Sequence, residues 1–293
     1  MCDRDNLAEW ARSGGFDWSG NRRQFSAMAA MGALSACAAT AHGDAALAED
    51  MVRVRTPDGQ MDAFYVRPSS GRHPAILTWP DIAGLRDAFK VMARRLAGQG
   101  YAVLVVNPYY RSGPAPIFSD FADFQASDGF AKAGEMRKEL GPDAIMRDAG
   151  AAIAWLDERT EVDPARGIGT NGYCMGGPFT VFTAAAAPDR VRAAASLHGA
   201  GLVKEDDSQS PHKLLDRTRA SYLFAIAQND DAKDPEAKTV LRRAAEAAGR
   251  PAEIAVYPAD HGWTVIDAPA YEQQAAEKAW QRMSGLFART LQA

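Results

Sequence analysis

Residues Gly172-Tyr173-Cys174-Met175-Gly176-Gly177 constrain this chain more than any other stretch. They stand between a short strand-like run, Arg166-Gly167-Ile168-Gly169-Thr170-Asn171, and an apolar helical run that reaches Ala187. A strand that becomes a helix through Gly-x-Cys-x-Gly-Gly must turn sharply, and small neighbours let the two elements approach closely. The helix that follows points free backbone N–H groups at the thiol, which favours thiolate and can later hold an oxyanion. Alone, the pattern also fits a structural cysteine in a glycine-rich turn. Its meaning rests on partners further along the chain.

Strand, Gly-x-nucleophile-x-Gly and helix together resemble the nucleophile elbow of α/β-hydrolases, with cysteine where serine is usual. Such a nucleophile needs a general base oriented by a third group, in the chain order nucleophile, acid, histidine. After Cys174 the histidines are His198, His212 and His261. His261 follows the strand-like run Ala252–Tyr257 and precedes the last helical stretch, which is where a final-strand loop delivers a base to the edge of a sheet. His198 ends the apolar run Val191–Leu197 and reaches the same edge, but no acid-bearing strand end separates it from Cys174. His212, in a polar loop, is expected to be solvated. The buried-strand pattern Ser221–Ala227 runs directly into Gln228-Asn229-Asp230-Asp231. Asp230 is the expected acid, and a register error would exchange it for Asp231. Both would otherwise serve as caps for the helix starting near Pro235, for which Asp234 is better placed.

Several further motifs stand in order around this set: Trp79-Pro80-Asp81-Ile82-Ala83-Gly84, Ala93-Arg94-Arg95-Leu96-Ala97 leading to Gly100-Tyr101-Ala102-Val103, and Asn107-Pro108-Tyr109-Tyr110-Arg111. With the elbow, Asp230 and His261-Gly262, they make the chain resemble the dienelactone hydrolases, the carboxymethylenebutenolidase-like cysteine members of the α/β-hydrolases, from about Arg53 to the C-terminus. The resemblance implies an α/β-hydrolase fold, a mostly parallel central sheet with helices on both faces. It implies a triad of Cys174, Asp230 and His261, and an oxyanion hole made by the backbone N–H groups of Ile82 and Met175. The acidic position before Ile82 is typically glutamate in the family, where it accepts the thiol's proton; here it is Asp81, one methylene shorter. Arg111 matches an arginine that helps bind the substrate carboxylate. A second such arginine, four residues after the histidine, is Val265 here, and its loss removes an anchor worth ~1.5–3 kcal/mol. The implied activity is hydrolysis of a small carboxylic ester or dienelactone-type lactone through a thioester, with no cofactor and no metal. Two alternatives stand beside it, a general carboxylesterase of another substrate class and a non-catalytic exported binding protein with this fold.

The amino terminus carries a separate signal. Asn21-Arg22-Arg23-Gln24-Phe25 opens a mildly apolar, alanine-rich stretch that ends in Leu34-Ser35-Ala36-Cys37. This resembles a twin-arginine export signal. The final four residues resemble a lipoprotein box, which would make Cys37 a lipid anchor; cleavage after Ala41 or Ala48 competes with that. Residues 1–48 are therefore expected to be an export leader and 49–293 a single α/β-hydrolase domain. The protein would be periplasmic, or cytoplasmic if the leader does not function.

Composition sets limits on partners. A formal charge of −4 argues against nucleic acid. The leader holds four arginines and five acids, so its loss would move that charge only to −3. Of three cysteines, Cys2 and Cys37 fall in the leader, leaving Cys174 as the thiol of the mature body. Elsewhere the pattern predicts a hairpin of Val52–Arg55 and Gln60–Val66, and strands over Ala75–Trp79 and Ala102–Asn107. Helices are predicted over Arg86–Ala97, Ala144–Glu158, Glu236–Ala248 and Tyr271–Leu291. Ser112–Gly129 reads as an irregular insertion, and Lys204–Asp216 as a surface loop or cap. Trp79, Tyr109, Tyr110, Phe118 and Trp263 are candidates either for an apolar pocket or for core packing.

Overall fold

The runs Ala75–Trp79 and Ala102–Val106 are apolar or threonine at every position, and such runs are stable only where both faces of a sheet are covered. In the computed structural model, which describes residues 46–292, both are buried along their whole length. They are β3 and β4 of an eight-stranded sheet. The other strands are β1 (Leu47–Thr56), β2 (Gly59–Pro68), β5 (Ile168–Tyr173), β6 (Val191–Leu197), β7 (Ser221–Ala227) and β8 (Ala252–Tyr257). The spatial order is β1-β2-β4-β3-β5-β6-β7-β8. The β1–β2 and β2–β4 pairs are antiparallel, and every later pair is parallel.

Parallel neighbours need crossovers, and helices supply them. In chain order these are α1 (Asp87–Ala97), α2 (Phe121–Ala126), α3 (Gly129–Met136), α4 (Pro142–Asp157), α5 (Phe179–Ala186), α6 (Pro211–Leu214), α7 (Gln228–Lys233), α8 (Ala237–Ala247) and α9 (Gln273–Leu291). Local chemistry sets their ends. Pro142 opens α4 with Asp143 in its first turn, where a missing N–H costs nothing and a negative charge meets the helix dipole. Glu272 caps α9 by accepting the Gln274 and Ala275 N–H groups at 3.1 and 2.6 Å. The apolar stripe of α1 (Phe89, Met92, Ala93, Leu96) is buried, and Arg95 at its end pairs with Glu277 of α9.

The sheet order fixes where a site can lie. Strand β3 pairs with β4 on one side and β5 on the other, so the chain winds outward in opposite directions from β3. A crevice opens outside the carboxyl ends of strands at such a switch point. The residues following β3 begin with Pro80-Asp81-Ile82, and the residue following β5 is Cys174.

Three parts of the fold depart from the sequence pattern. Strand β1 starts at Leu47, which pairs with Pro68, so the ordered sheet begins two residues before the expected leader boundary. The segment read as an irregular insertion contains α2 and runs into α3. Its phenylalanines explain why: Phe118, Phe121 and Phe130 lie 5.0, 5.2 and 4.8 Å from Phe124, ring to ring, a small apolar cluster that organises an otherwise polar stretch. His212 is buried rather than solvated, because α6 turns it inward to share a hydrogen bond with the buried Ser210 hydroxyl at 2.8 Å. The twin-arginine segment, Cys37 and the possible cleavage point after Ala41 lie outside the described residues. No described helix is long and apolar enough to cross a membrane.

Candidate active site

Cys174 is the first residue beyond β5 and has φ of +52°, in the left-handed region that side chains other than glycine rarely adopt. Strain of this kind persists only where the surroundings over-determine it. Here the Cys174 carbonyl accepts N–H groups from Gly177 at 3.1 Å and Ala200 at 3.3 Å, and its own N–H donates to His198 Nδ1 at 3.1 Å. The turn is tight enough that its glycines are steric requirements. A Cβ on Gly176 would lie 2.5 Å from the Trp79 carbonyl oxygen and 2.6 Å from that of Pro80. A Cβ on Gly172 would collide with the Gly176 carbonyl.

Two neighbouring strands bring a base and an acid to the same edge. Strand β8 ends at Tyr257, and the loop beyond it is fixed by Gln228 N–H to the Ala259 carbonyl (3.0 Å) and by His261 N–H to Asn229 Oδ1 (2.9 Å). His261 Nδ1 then meets Asp230 Oδ2 at 2.5 Å, and the imidazole also hydrogen-bonds Cys174. Burial by itself would drive a proton off this ring. The charge on the Cys174 sulfur and the Asp230 carboxylate outweigh it, and the His261 pKa is pushed up to about 10. Cys174 and Asp230 thus both favour the protonated ring. Asp231, the alternative acid, pairs instead with Lys238 at 2.6 Å.

On the other side of the elbow lies the turn after β3. The Ile82 N–H makes no hydrogen bond among the described residues, while its carbonyl accepts the Tyr109 hydroxyl at 2.8 Å. The same hydroxyl reaches Met175 Sδ at 3.2 Å, so Tyr109 ties together the two residues expected to form an oxyanion hole. Asp81 is buried, and both its oxygens are taken by Arg86, Oδ1 by Nη1 at 2.7 Å and Oδ2 by Nη2 at 3.0 Å; Oδ1 also accepts the Ala83 N–H at 2.9 Å. Arg86 continues to Asp267 through two bonds of 2.7 Å, and Asp267 in turn accepts the Phe121 N–H at 3.1 Å. Burial pushes the Asp81 carboxyl above its ordinary range, and Arg86 pulls back only part of that; Asp267 and Cys174 add to the rise. Asp81 therefore faces a fixed guanidinium, which locks the turn that carries Ile82.

Arg111 is equally committed. It forks onto Asp148 with two bonds of 2.9 Å and reaches Asp58 at 2.6 Å, and Asp148 also accepts the Tyr110 hydroxyl at 2.8 Å. Val265 is fully buried. Trp79, Tyr109, Tyr110, Phe118 and Trp263 are buried core side chains. Sequence reasoning did not identify Arg86 or Asp267, nor the role of the Tyr109 hydroxyl, because each acts through partners that only the fold brings to it. Among the described residues, no cluster of three or more His, Cys, Asp or Glu could hold a metal ion.

The set offers the parts acyl transfer needs, with a thiol at a strained apex, an imidazole beside it and backbone donors nearby. Comparison with known proteins gives the family. Residues 61–291 match the model of the Dienelactone hydrolase family. A Salmonella typhi protein named "Putative carboxymethylenebutenolidase" is 30% identical over 253 residues, covering 84% of this chain and 89% of that one. An Escherichia coli K12 protein of the same name is 29% identical over 251 residues, or 83% and 88% of the two chains. Among solved structures, that of a "Putative Dienelactone Hydrolase" from Klebsiella pneumoniae subsp. pneumoniae MGH 78578 superposes with a TM-score of 0.71 at 26% identity, covering 83% of this chain and 99% of that one.

Proposed function

Since the chain belongs to the dienelactone hydrolase family, and so to the carboxylic ester hydrolases, we propose that it cleaves a small ester or lactone through a thioester on Cys174. The observation that carries this reading is the hydrogen-bonded line from Asp230 through His261 to Cys174. The thiolate attacks the carbonyl carbon, and the oxygen that gains the electron pair is received by the N–H groups of Ile82 and Met175. The C–O bond breaks, and the His261 imidazolium gives its proton to the departing alkoxide or enolate. Now neutral, His261 takes a proton from water, whose oxygen attacks the thioester. Collapse of that second adduct releases the acid and restores thiolate and imidazolium. Asp230 holds the ring in the tautomer that points Nε2 toward the sulfur. Asp81 contributes by fixing the Ile82 turn through Arg86 rather than by taking the thiol's proton.

Hydrolysis of an activated phenyl ester and of a dienelactone by the leaderless protein, beside its Cys174→Ala variant, tests this. Turnover that disappears in the variant supports the reading. Turnover that survives in it refutes the reading, and no turnover of either substrate by reduced wild-type protein favours the binding-protein alternative.

The state of Arg111 favours a second reading of the substrate class. With Asp148 and Asp58 already on its guanidinium, a substrate carboxylate would have to displace a buried ion pair. A neutral ester or lactone then becomes the better substrate than a dienelactone carboxylate. Arg111→Ala should lower kcat/KM for the two equally; a selective loss on the dienelactone would restore the carboxylate-anchor role. For location, we propose export through the Arg22-Arg23 segment, with either cleavage or lipidation at Cys37. Cell fractionation of the wild type and of an Arg22→Lys, Arg23→Lys variant tests it, since a protein that reaches the periplasm equally in both contradicts the twin-arginine route.

A further inference from the structure

One buried titratable group beside the site has no part in this chemistry. His198 follows β6 with φ of +41° and is 1% exposed; its ring lies 5.0 Å from that of His261 and 5.1 Å from that of Trp263. Its Nδ1 accepts the Cys174 N–H at 3.1 Å, and a ring nitrogen that accepts carries no proton. The other nitrogen is therefore Nε2–H, and it donates to Thr264 Oγ1 at 2.8 Å. Thr264 sits three residues beyond His261 on the same loop. Burial, reinforced by the positive charge on His261, holds His198 well below the ordinary histidine range, so the ring stays neutral and keeps this tautomer.

We infer that His198 is a positioning residue, a neutral imidazole that bridges the backbone amide of the nucleophile to the loop carrying the base and so sets the spacing between the Cys174 sulfur and His261. The inference rests on Cys174 being the nucleophile. Its physical basis is the strain at Cys174. The left-handed backbone there is held at its carbonyl by Gly177 and Ala200 and at its N–H by His198. Removing the imidazole leaves a buried donor unpaired at the residue whose geometry matters most, and it also frees the His261 loop at Thr264. Because the ring is out of solvent and touches the backbone of Cys174, the loss should fall on kcat and on thiolate reactivity rather than on KM.

Four variants of the full-length protein test this: His198→Leu, His198→Asn, Thr264→Val and Thr264→Ser. The readouts are kcat and KM for p-nitrophenyl acetate and the rate of alkylation by iodoacetamide at the Cys174 peptide, followed by mass spectrometry, with thermal unfolding as the check on folding. Leucine keeps the bulk and loses the acceptor. Asparagine offers a side-chain oxygen near the place of Nδ1. The expected result is about tenfold or greater loss of kcat and of alkylation rate in His198→Leu, the size set by one unpaired buried donor, with KM little changed. His198→Asn should recover most of the loss, Thr264→Val should fall between, and Thr264→Ser should match wild type. A folded His198→Leu protein that turns over at the wild-type rate, or an asparagine variant no faster than leucine, would overturn the inference. If His198→Leu does not fold, the threonine pair decides: valine slower than serine upholds the bridge, and equal rates refute it. Hydrolysis that survives Cys174→Ala would instead remove the nucleophile assignment, while the alkylation rates would still report whether His198 positions Cys174.

Discussion

Replacing Arg86 with methionine isolates what holds the Ile82 turn against the elbow. The guanidinium is fully out of solvent, and the side chains of its partners Asp81 and Asp267 are 4% and 17% exposed. Its N–H groups are spent on Asp81, Asp267 and the Gly84 carbonyl, and Asp267 extends the tie to the start of α2. Three loops of the site therefore meet at one cation. Methionine keeps much of the length and removes the charge, so the two carboxylates stay behind without a counterion. Breaking a buried ion pair from one side destabilises by ~3–5 kcal/mol. For a chain of this size that corresponds to a fall of about 6–20 °C in Tm. Urea unfolding monitored by tryptophan fluorescence, extrapolated to water, measures it directly. The sign of the pH dependence follows from linkage. Unpaired buried carboxylates bind protons more readily in the folded than in the unfolded chain, so the variant gains stability as pH falls, and its deficit against wild type should shrink between about pH 7 and pH 5. A deficit below ~1 kcal/mol at neutral pH, or one that does not change with pH, would refute the claim that Arg86 fixes this side of the site.

Three more outcomes follow from the geometry of the site. The His261 pKa, raised to about 10 while Cys174 is thiolate, means that alkylation of Cys174 should be nearly flat with pH through the neutral range. His261→Asn should restore the steep rise of an ordinary thiol near its pKa of about 8.5, and a wild-type profile already of that shape would contradict the ion pair. The stability that the pair contributes is fully present below the unfolded histidine pKa and is lost as pH rises through about 10, so denaturation of the wild type measured against Cys174→Ala should converge in alkaline solution. Gly176→Ala forces a methyl group against two carbonyl oxygens and should cost ~1–3 kcal/mol in thermal or urea unfolding and most of the activity; a variant as stable and active as wild type would mean the elbow is looser than described.

The parallel part of the fold was legible because its strands are short and rich in apolar residues, fully buried in Ala75–Trp79 and mostly so in Val191–Leu197 and Ser221–Ala227. The edge strand Ala252–Tyr257 is only partly covered, yet it also emerges as read. Helix bounds shifted by a residue or two, the usual consequence of fraying and capping. The candidate site was legible where chemistry leaves a local signature: a cysteine between glycines, an acid at a strand end, a histidine at the last loop. It was not legible where one side chain answers another far away. Nothing in Gly84-Leu85-Arg86-Asp87 announces a buried cation, because its burial depends on Asp267, 181 residues further on. Arg111 matched a motif, yet its partners Asp58 and Asp148 come from the β1–β2 turn and α4, and only the folded chain brings them to it. His198 was weighed as a base and set aside for want of an acid, but acceptance of a backbone N–H is invisible in sequence.

The most direct test of the account is mass spectrometry of the protein quenched during turnover of a slowly deacylated ester. The account predicts one added acyl group, located on the peptide that contains Cys174, formed and lost at rates compatible with turnover and absent in Cys174→Ala. Turnover without an adduct on that peptide, continuing in the alanine variant, would contradict it.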